Sequence, residues 1–68
     1  MTTMTNEQFA EIRAKLGLTT KQLADVLGYG QRMRVSELER GARDIPNHIA
    51  LLMTAYDEGY RPKAGWPL

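Results

Sequence analysis

Apolar residues recur along the chain at spacings of three and four, and no run alternates with a period of two. Phe9, Ile12 and Leu16 form one stripe. Thr5-x-x-Gln8 precedes it in the form of a capping box, and Gly17 followed by apolar Leu18 ends it as a left-handed helix stop does. The same grammar predicts a second, shorter helix. Thr19-x-x-Gln22 opens it, Leu23, Ala24, Val26 and Leu27 carry its apolar face, and Gly28-Tyr29 closes it. A third helix is predicted from Gln31 or Arg32 to Arg40, with Val35 and Leu38 inward and Gly41 at its end. The fourth is predicted to start at Pro46, a residue favoured in the first helical turn. It carries Ile49, Leu52, Met53 and Tyr56 inward and stops at Gly59-Tyr60. The β-branched residues sit inside helical stripes, so no strand is expected. The pattern predicts an all-α fold, a compact bundle of about four short helices. Residues 1–60 form the domain, and residues 61–68, which include Pro62 and Pro67, form an extended tail that cannot sustain a helix. Trp66, the only tryptophan, lies in that tail, where it docks on its own domain, docks on a second subunit or hangs free.

Composition narrows the possible chemistry. A chain of 68 residues, 43% hydrophobic and 25% charged, is one ordinary globular domain without room for separate substrate and cofactor domains. Cysteine is absent and His48 is the single histidine, which excludes disulfides, thiol catalysis and a His/Cys zinc site. No cofactor and no metal are expected. With no Ser/His/Asp set and no P-loop, the chain is not expected to be an enzyme. A core this small, without staples, supplies about 3 to 5 kcal/mol, so a homodimer is the expected source of further stability. No signal-like start and no window near 18 apolar residues is seen, so no membrane partner and a cytoplasmic location are expected.

The net charge of +1 hides an uneven distribution. Residues 13–43 hold seven of the nine basic residues against three acids, and the rest of the chain is net acidic. A basic face of this kind suits a polyanionic partner, although an ordinary solvated surface has the same composition.

The joint between the second and third helices, Gly28-Tyr29-Gly30-Gln31, has no room for a strand and reads as a helix-turn-helix. Leu18-Thr19 opens helix two, Leu23-Ala24 is followed by Leu27-Gly28, and Glu39-Arg40-Gly41 follows the third apolar stripe. This ordered set over residues 18–46 resembles the Cro/C1 (XRE) helix-turn-helix family, the lambda-repressor-like DNA-binding domains, with roughly residues 6–56 covered. The resemblance implies a double-stranded DNA partner, a homodimer on an inverted-repeat operator, and repression by occlusion, often at the protein's own promoter. In size the chain is similar to regulators of phages and mobile elements, including antitoxins and anti-CRISPR-associated autorepressors. The resemblance also implies a structural pair between Glu39 and Arg13 of the first helix. Three departures stand out. Val35 and Leu38 lie one position further from Gly28 than in most of the family, so the turn is one residue longer. Thr20 stands where a phosphate-binding glutamine is common. The tail replaces a fifth helix that usually helps to dimerise, leaving Tyr60 and Trp66 as the candidate dimer or partner contacts.

The geometry of the third helix supplies the candidate site. At about 100° per residue, with Val35 and Leu38 inward, Met33, Ser36, Glu37 and Arg40 point outward. Arginine can bind guanine O6/N7 and glutamine adenine N6/N7 in a major groove. Base reading is therefore assigned to Gln31, Arg32, Met33, Arg34, Ser36 and Glu37. Thr19, Thr20 and Lys21 start helix two, where unpaired amides and the helix dipole favour an anion. With Arg40 and Arg43 they are assigned to phosphates. Plainer roles stand beside these. Arg32 and Arg34 could be solvated charges, Glu37 a local support for Arg34 or Arg40 rather than an acceptor from cytosine N4, and Met33 a shield for the helix start rather than a thymine-methyl contact. The leading expectation is a sequence-specific DNA-binding regulator. The alternative is a protein-interaction module, such as an antitoxin or adaptor, in which the third helix or the tail docks on a protein and DNA contact is incidental.

Overall fold

Residues 4–68 are described by the computed structural model; Met1 to Thr3, at the start of the 1–60 domain, lie outside the described residues. Four helices follow one another, α1 (Asn6–Leu16), α2 (Thr20–Leu27), α3 (Arg32–Arg40) and α4 (Asn47–Asp57), with no strand among the described residues. The all-α reading holds.

Local chemistry sets these boundaries. Thr5 Oγ1 accepts from the Gln8 amide at 3.0 Å while Gln8 Oε1 accepts from the Thr5 amide at 2.9 Å. Thr19 and Gln22 make the same exchange at 3.1 and 2.9 Å, so each box satisfies two amides that a helix start would otherwise orphan. At the other ends, the Tyr29 amide donates to the Ala24 carbonyl at 2.9 Å and the Ala42 amide to the Glu37 carbonyl at 3.0 Å. These are the long bonds of a Schellman stop. In the turn joining α2 to α3, Gly28 (φ 82°) and Gly30 (φ 73°) are both left-handed, a conformation that strains an L side chain and explains the Gly-x-Gly spacing.

One boundary differs from expectation. Pro46 precedes α4 as its N-cap with an extended backbone instead of occupying the first helical turn. At the far end α4 closes at Asp57 and stops as expected at Gly59-Tyr60, where Gly59 is left-handed (φ 110°) and the Tyr60 amide donates to the Ala55 carbonyl at 3.0 Å, the long bond of a Schellman stop.

Phe9, Leu18, Leu23, Val35, Leu38, Ile49, Met53 and Tyr56 form the core, with Ala24 and Ala50 filling narrow positions and Met4 also buried. The inward face of α4 carries Ile49, Met53 and Tyr56 as predicted, with Leu52 half-buried against the core, and is widened by buried Ala50. A methyl group is small enough to sit at a close helix crossing, a role that a reading weighted towards large apolar residues overlooks. α2 packs most extensively on α3, and α1 touches both α3 and α4.

Side-chain ties hold α3 to α1. Arg13 Nε and Nη2 donate to the two carboxylate oxygens of Glu39, and Arg13 Nη1 donates to the Leu18 carbonyl at 2.9 Å. Asn6 Nδ2 donates to the carbonyls of Leu38 and Arg43, pinning the segment after α3 to the start of α1. Lys15 pairs with Asp57 at 2.8 Å, so an acid set against the α4 dipole is offset from a neighbouring helix.

The tail is non-helical, as expected, but it folds back instead of extending away. Trp66 packs on Tyr56 with ring centroids 5.2 Å apart, and the Arg61 guanidinium lies 4.3 Å from the Trp66 ring. Arg61 Nη1 also donates to the carbonyls of Tyr56 and Tyr60 at 2.9 and 2.7 Å, which satisfies acceptors at the end of α4. Of the three positions open to Trp66, the structure takes the one on its own domain. No described helix is long and apolar enough to cross a membrane.

Candidate nucleic-acid interface

Packing α2 on α3 through Leu23, Ala24, Val35 and Leu38 places the starts of the two helices side by side. Three neighbouring surface grooves record the result. Thr20, Arg32, Met33, Ser36 and Arg40 line the first; Lys21, Gly30, Gln31, Arg32 and Met33 the second; Gln31, Met33, Arg34, Glu37 and Arg43 the third. Every residue assigned to bases or phosphates from the sequence lines one of them except Thr19, which caps the helix that Thr20 begins.

Exposure separates the assigned residues into two groups. Gln31, Arg32, Met33, Arg34 and Arg40 are exposed, whereas Ser36 and Glu37 are half-buried and recessed. Glu37 accepts from Arg43 Nε at 3.1 Å, so its partner is Arg43 and not the expected Arg34 or Arg40. The chain reverses at Gly41, and Arg43 is thereby brought back beside α3. Arg43 remains 57% exposed, and only its Nε is engaged by Glu37 among the described residues. Lys21 pairs with Asp25 one turn on, at 3.3 Å and in open solvent, a contact worth little. Arg32, Arg34 and Arg40 make no ion pair among the described residues.

Two helix starts face this surface with open donors. Gln31 occupies the N-cap of α3 but makes no side-chain capping bond, so its amide group is available and the Arg32 and Met33 amides lack a partner among the described residues. The first turn of α3 holds two arginines and no acid. Cations there oppose the dipole at about 0.3 to 1 kcal/mol each, a cost that an incoming anion or base acceptor relieves. At α2 the capping box leaves the Thr20 and Lys21 amides without a partner among the described residues. Thr19 Oγ1 accepts from Gln22, which leaves its own hydroxyl proton to donate outward.

Sequence reasoning missed two contributors. Tyr29 lines a further groove with Arg34, Arg43, Pro46 and His48 at the flank of the site. Asn6 sets the backbone at Arg43 from α1, and no local rule links positions that far apart in the chain. The candidate partner contacts lie elsewhere: Trp66 on Tyr56, and exposed Tyr60 stacked on Tyr56 with centroids 5.9 Å apart. No tail residue lines the three grooves of α3. No metal-binding group of three His, Cys, Asp or Glu side chains forms among the described residues.

Searches against family models, curated proteins and solved structures yield no match to this chain.

Proposed function

We propose that the protein is a sequence-specific DNA-binding regulator of the helix-turn-helix type, acting as a homodimer that places α3 in the major groove of each half of an inverted repeat. The observation that carries this reading is the exposed start of α3, where Gln31, Arg32 and Arg34 stand beside uncapped amides, anchored by buried Val35 and Leu38. Arg32, Arg34 and Gln31 reach the base edges, while Thr19, Thr20, Lys21, Arg40 and Arg43 hold the flanking phosphates and set the register. Ser36 and Glu37, set back from the surface, meet bases only where the helix sinks deepest, and Glu37 also orients Arg43. Reading such a repeat on one face of the duplex requires the two α3 helices of the dimer to lie about 34 Å apart, one turn of duplex. Repression by occlusion needs nothing beyond this domain.

The alternative is a protein-interaction module that docks on a protein through the third helix or through the tail, and the folded-back tail affects only the second route. With Trp66 engaged by Tyr56 and Arg61, exposed Leu51, Tyr60 and Leu68 remain to carry it. Fluorescence anisotropy separates the two readings, using a duplex selected from a random pool, the DNA upstream of the gene, and a scrambled duplex at several salt concentrations. A regulator prefers its selected duplex by about a thousandfold or more, with a steep negative salt slope. Weak and equal binding to all three duplexes rejects the proposal.

A further inference from the structure

Among the described residues, four large apolar side chains stand in solvent: Met33, Leu51, Tyr60 and Leu68. Leu51 belongs to α4, Tyr60 to the turn after it and Leu68 to the tail. Met33 alone lies on α3, 64% exposed, and it borders all three grooves at the start of that helix. Its charged neighbours in those linings are Lys21, Arg32, Arg34, Arg40 and Arg43 with one acid, Glu37, which Arg43 engages; the rest are small or polar and no second large apolar side chain is among them. An unbranched thioether held among charged and polar groups forgoes the free energy of burial.

A shielding role does not account for it. Val35 and Leu38 are buried on the opposite side of α3 without help from Met33, and the helix-start amides beside it stay uncapped. A protein partner does not account for it either. A stable protein interface needs about 800 Å² on each side, and docking here would strip water from several arginines around a single apolar group. The thymine 5-methyl fits both features. It is an apolar group of matching size, displayed on a major-groove edge and flanked by phosphates that the surrounding cations neutralise.

We infer that Met33 is a specificity determinant that packs its thioether against a thymine 5-methyl group, while Arg32 and Arg34 engage the neighbouring base pairs. The inference rests on the DNA-binding reading above and adds a base preference to it. Because Met33 is flexible and unbranched, it can meet either of two adjacent thymines.

The test replaces thymine by deoxyuridine, one position at a time, in a duplex selected from a random pool, which removes the 5-methyl and nothing else. With the full-length chain, one or two positions in each half-site should weaken binding about three- to fivefold per methyl. Met33→Ala should bind the thymine duplex as weakly as the unaltered chain binds the deoxyuridine one, and should no longer distinguish the two. Met33→Leu should keep the preference. Because the side chain is exposed, circular dichroism should show both variants folded. Uridine effects that persist undiminished in Met33→Ala, or that occur nowhere in the half-site, overturn the assignment while leaving DNA binding intact. Failure of the selection to yield any preferred duplex overturns the DNA-binding reading and Met33 with it.

Discussion

Replacing Arg13 by methionine keeps most of the aliphatic stem and removes the guanidinium that ties α1 to α3. Three hydrogen bonds go with it, two to Glu39 and one to the Leu18 carbonyl. The side chains of Arg13 and Glu39 are 24% and 16% exposed, so the abandoned carboxylate is largely shielded but not sealed from water. Orphaning a fully buried charge costs about 3 to 5 kcal/mol, and partial exposure brings the expected loss to about 2 kcal/mol. A chain of this length holds about 3 to 10 kcal/mol in total, so the loss is a substantial share. The melting temperature should fall by about 8 to 16 °C. Thermal and urea denaturation followed by circular dichroism measure it directly. The double variant Arg13→Met/Glu39→Leu, which leaves no orphan charge, should recover about 1 kcal/mol or more relative to Arg13→Met. A loss below about 0.5 kcal/mol for Arg13→Met, or strictly additive single changes, would refute the claim that this pair positions α3.

Trp66→Ala should cost about 1 to 2 kcal/mol, since a partly buried ring leaves Tyr56 and Arg61. As the only tryptophan it also reports on the tail, and emission typical of a fully exposed indole in the folded protein would contradict the fold-back. Burial and the neighbouring Tyr60 push the Tyr56 phenol above its ordinary value of 10.0. The folded state thus holds that proton more tightly than the unfolded chain. Stability from this group is complete below about pH 10 and is lost as pH climbs through the raised value. Denaturation midpoints should therefore drop in strong alkali, and Tyr56→Phe should flatten the drop; midpoints that stay level with Tyr56 in place would contradict the assignment. Arg32→Ala should lower affinity for the selected duplex by about 1 to 3 kcal/mol and relax specificity at one position, whereas Lys21→Ala should weaken all duplexes alike. Equal small effects on selected and scrambled DNA would remove Arg32 from the base-reading group.

Local rules made most of the architecture legible. Capping boxes at Thr5 and Thr19 and glycines at 17, 28 and 41 bound the first three helices, because hydrogen bonds and backbone sterics within a few residues decide those ends. The Arg13–Glu39 pair was expected from family resemblance alone, since no spacing rule joins residues in different helices. Less visible were features set by tertiary approach. Ala50 in the core depends on how closely a neighbouring element packs, and Asn6 reaches the segment after α3 across most of the chain. Sequence reasoning assigns Glu37 to base reading, with support of Arg34 or Arg40 as its plainer role, but the reversal at Gly41 brings Arg43 to it instead. Trp66 could not be placed from its own segment, because what fixes it is an aromatic and cationic site completed by Tyr56 and Arg61.

The start of α3, supported by the start of α2, is the surface proposed to read DNA. Amide chemical-shift mapping of the folded protein, titrated with its selected duplex and then with a scrambled one, tests it most directly. The largest changes are expected at Thr20, Lys21, Arg32, Met33 and Arg34 with the selected duplex, and smaller, salt-sensitive changes at the same amides with the scrambled one. Changes confined to Leu51, Tyr60 and the tail, with the amides of α3 unmoved, would contradict it.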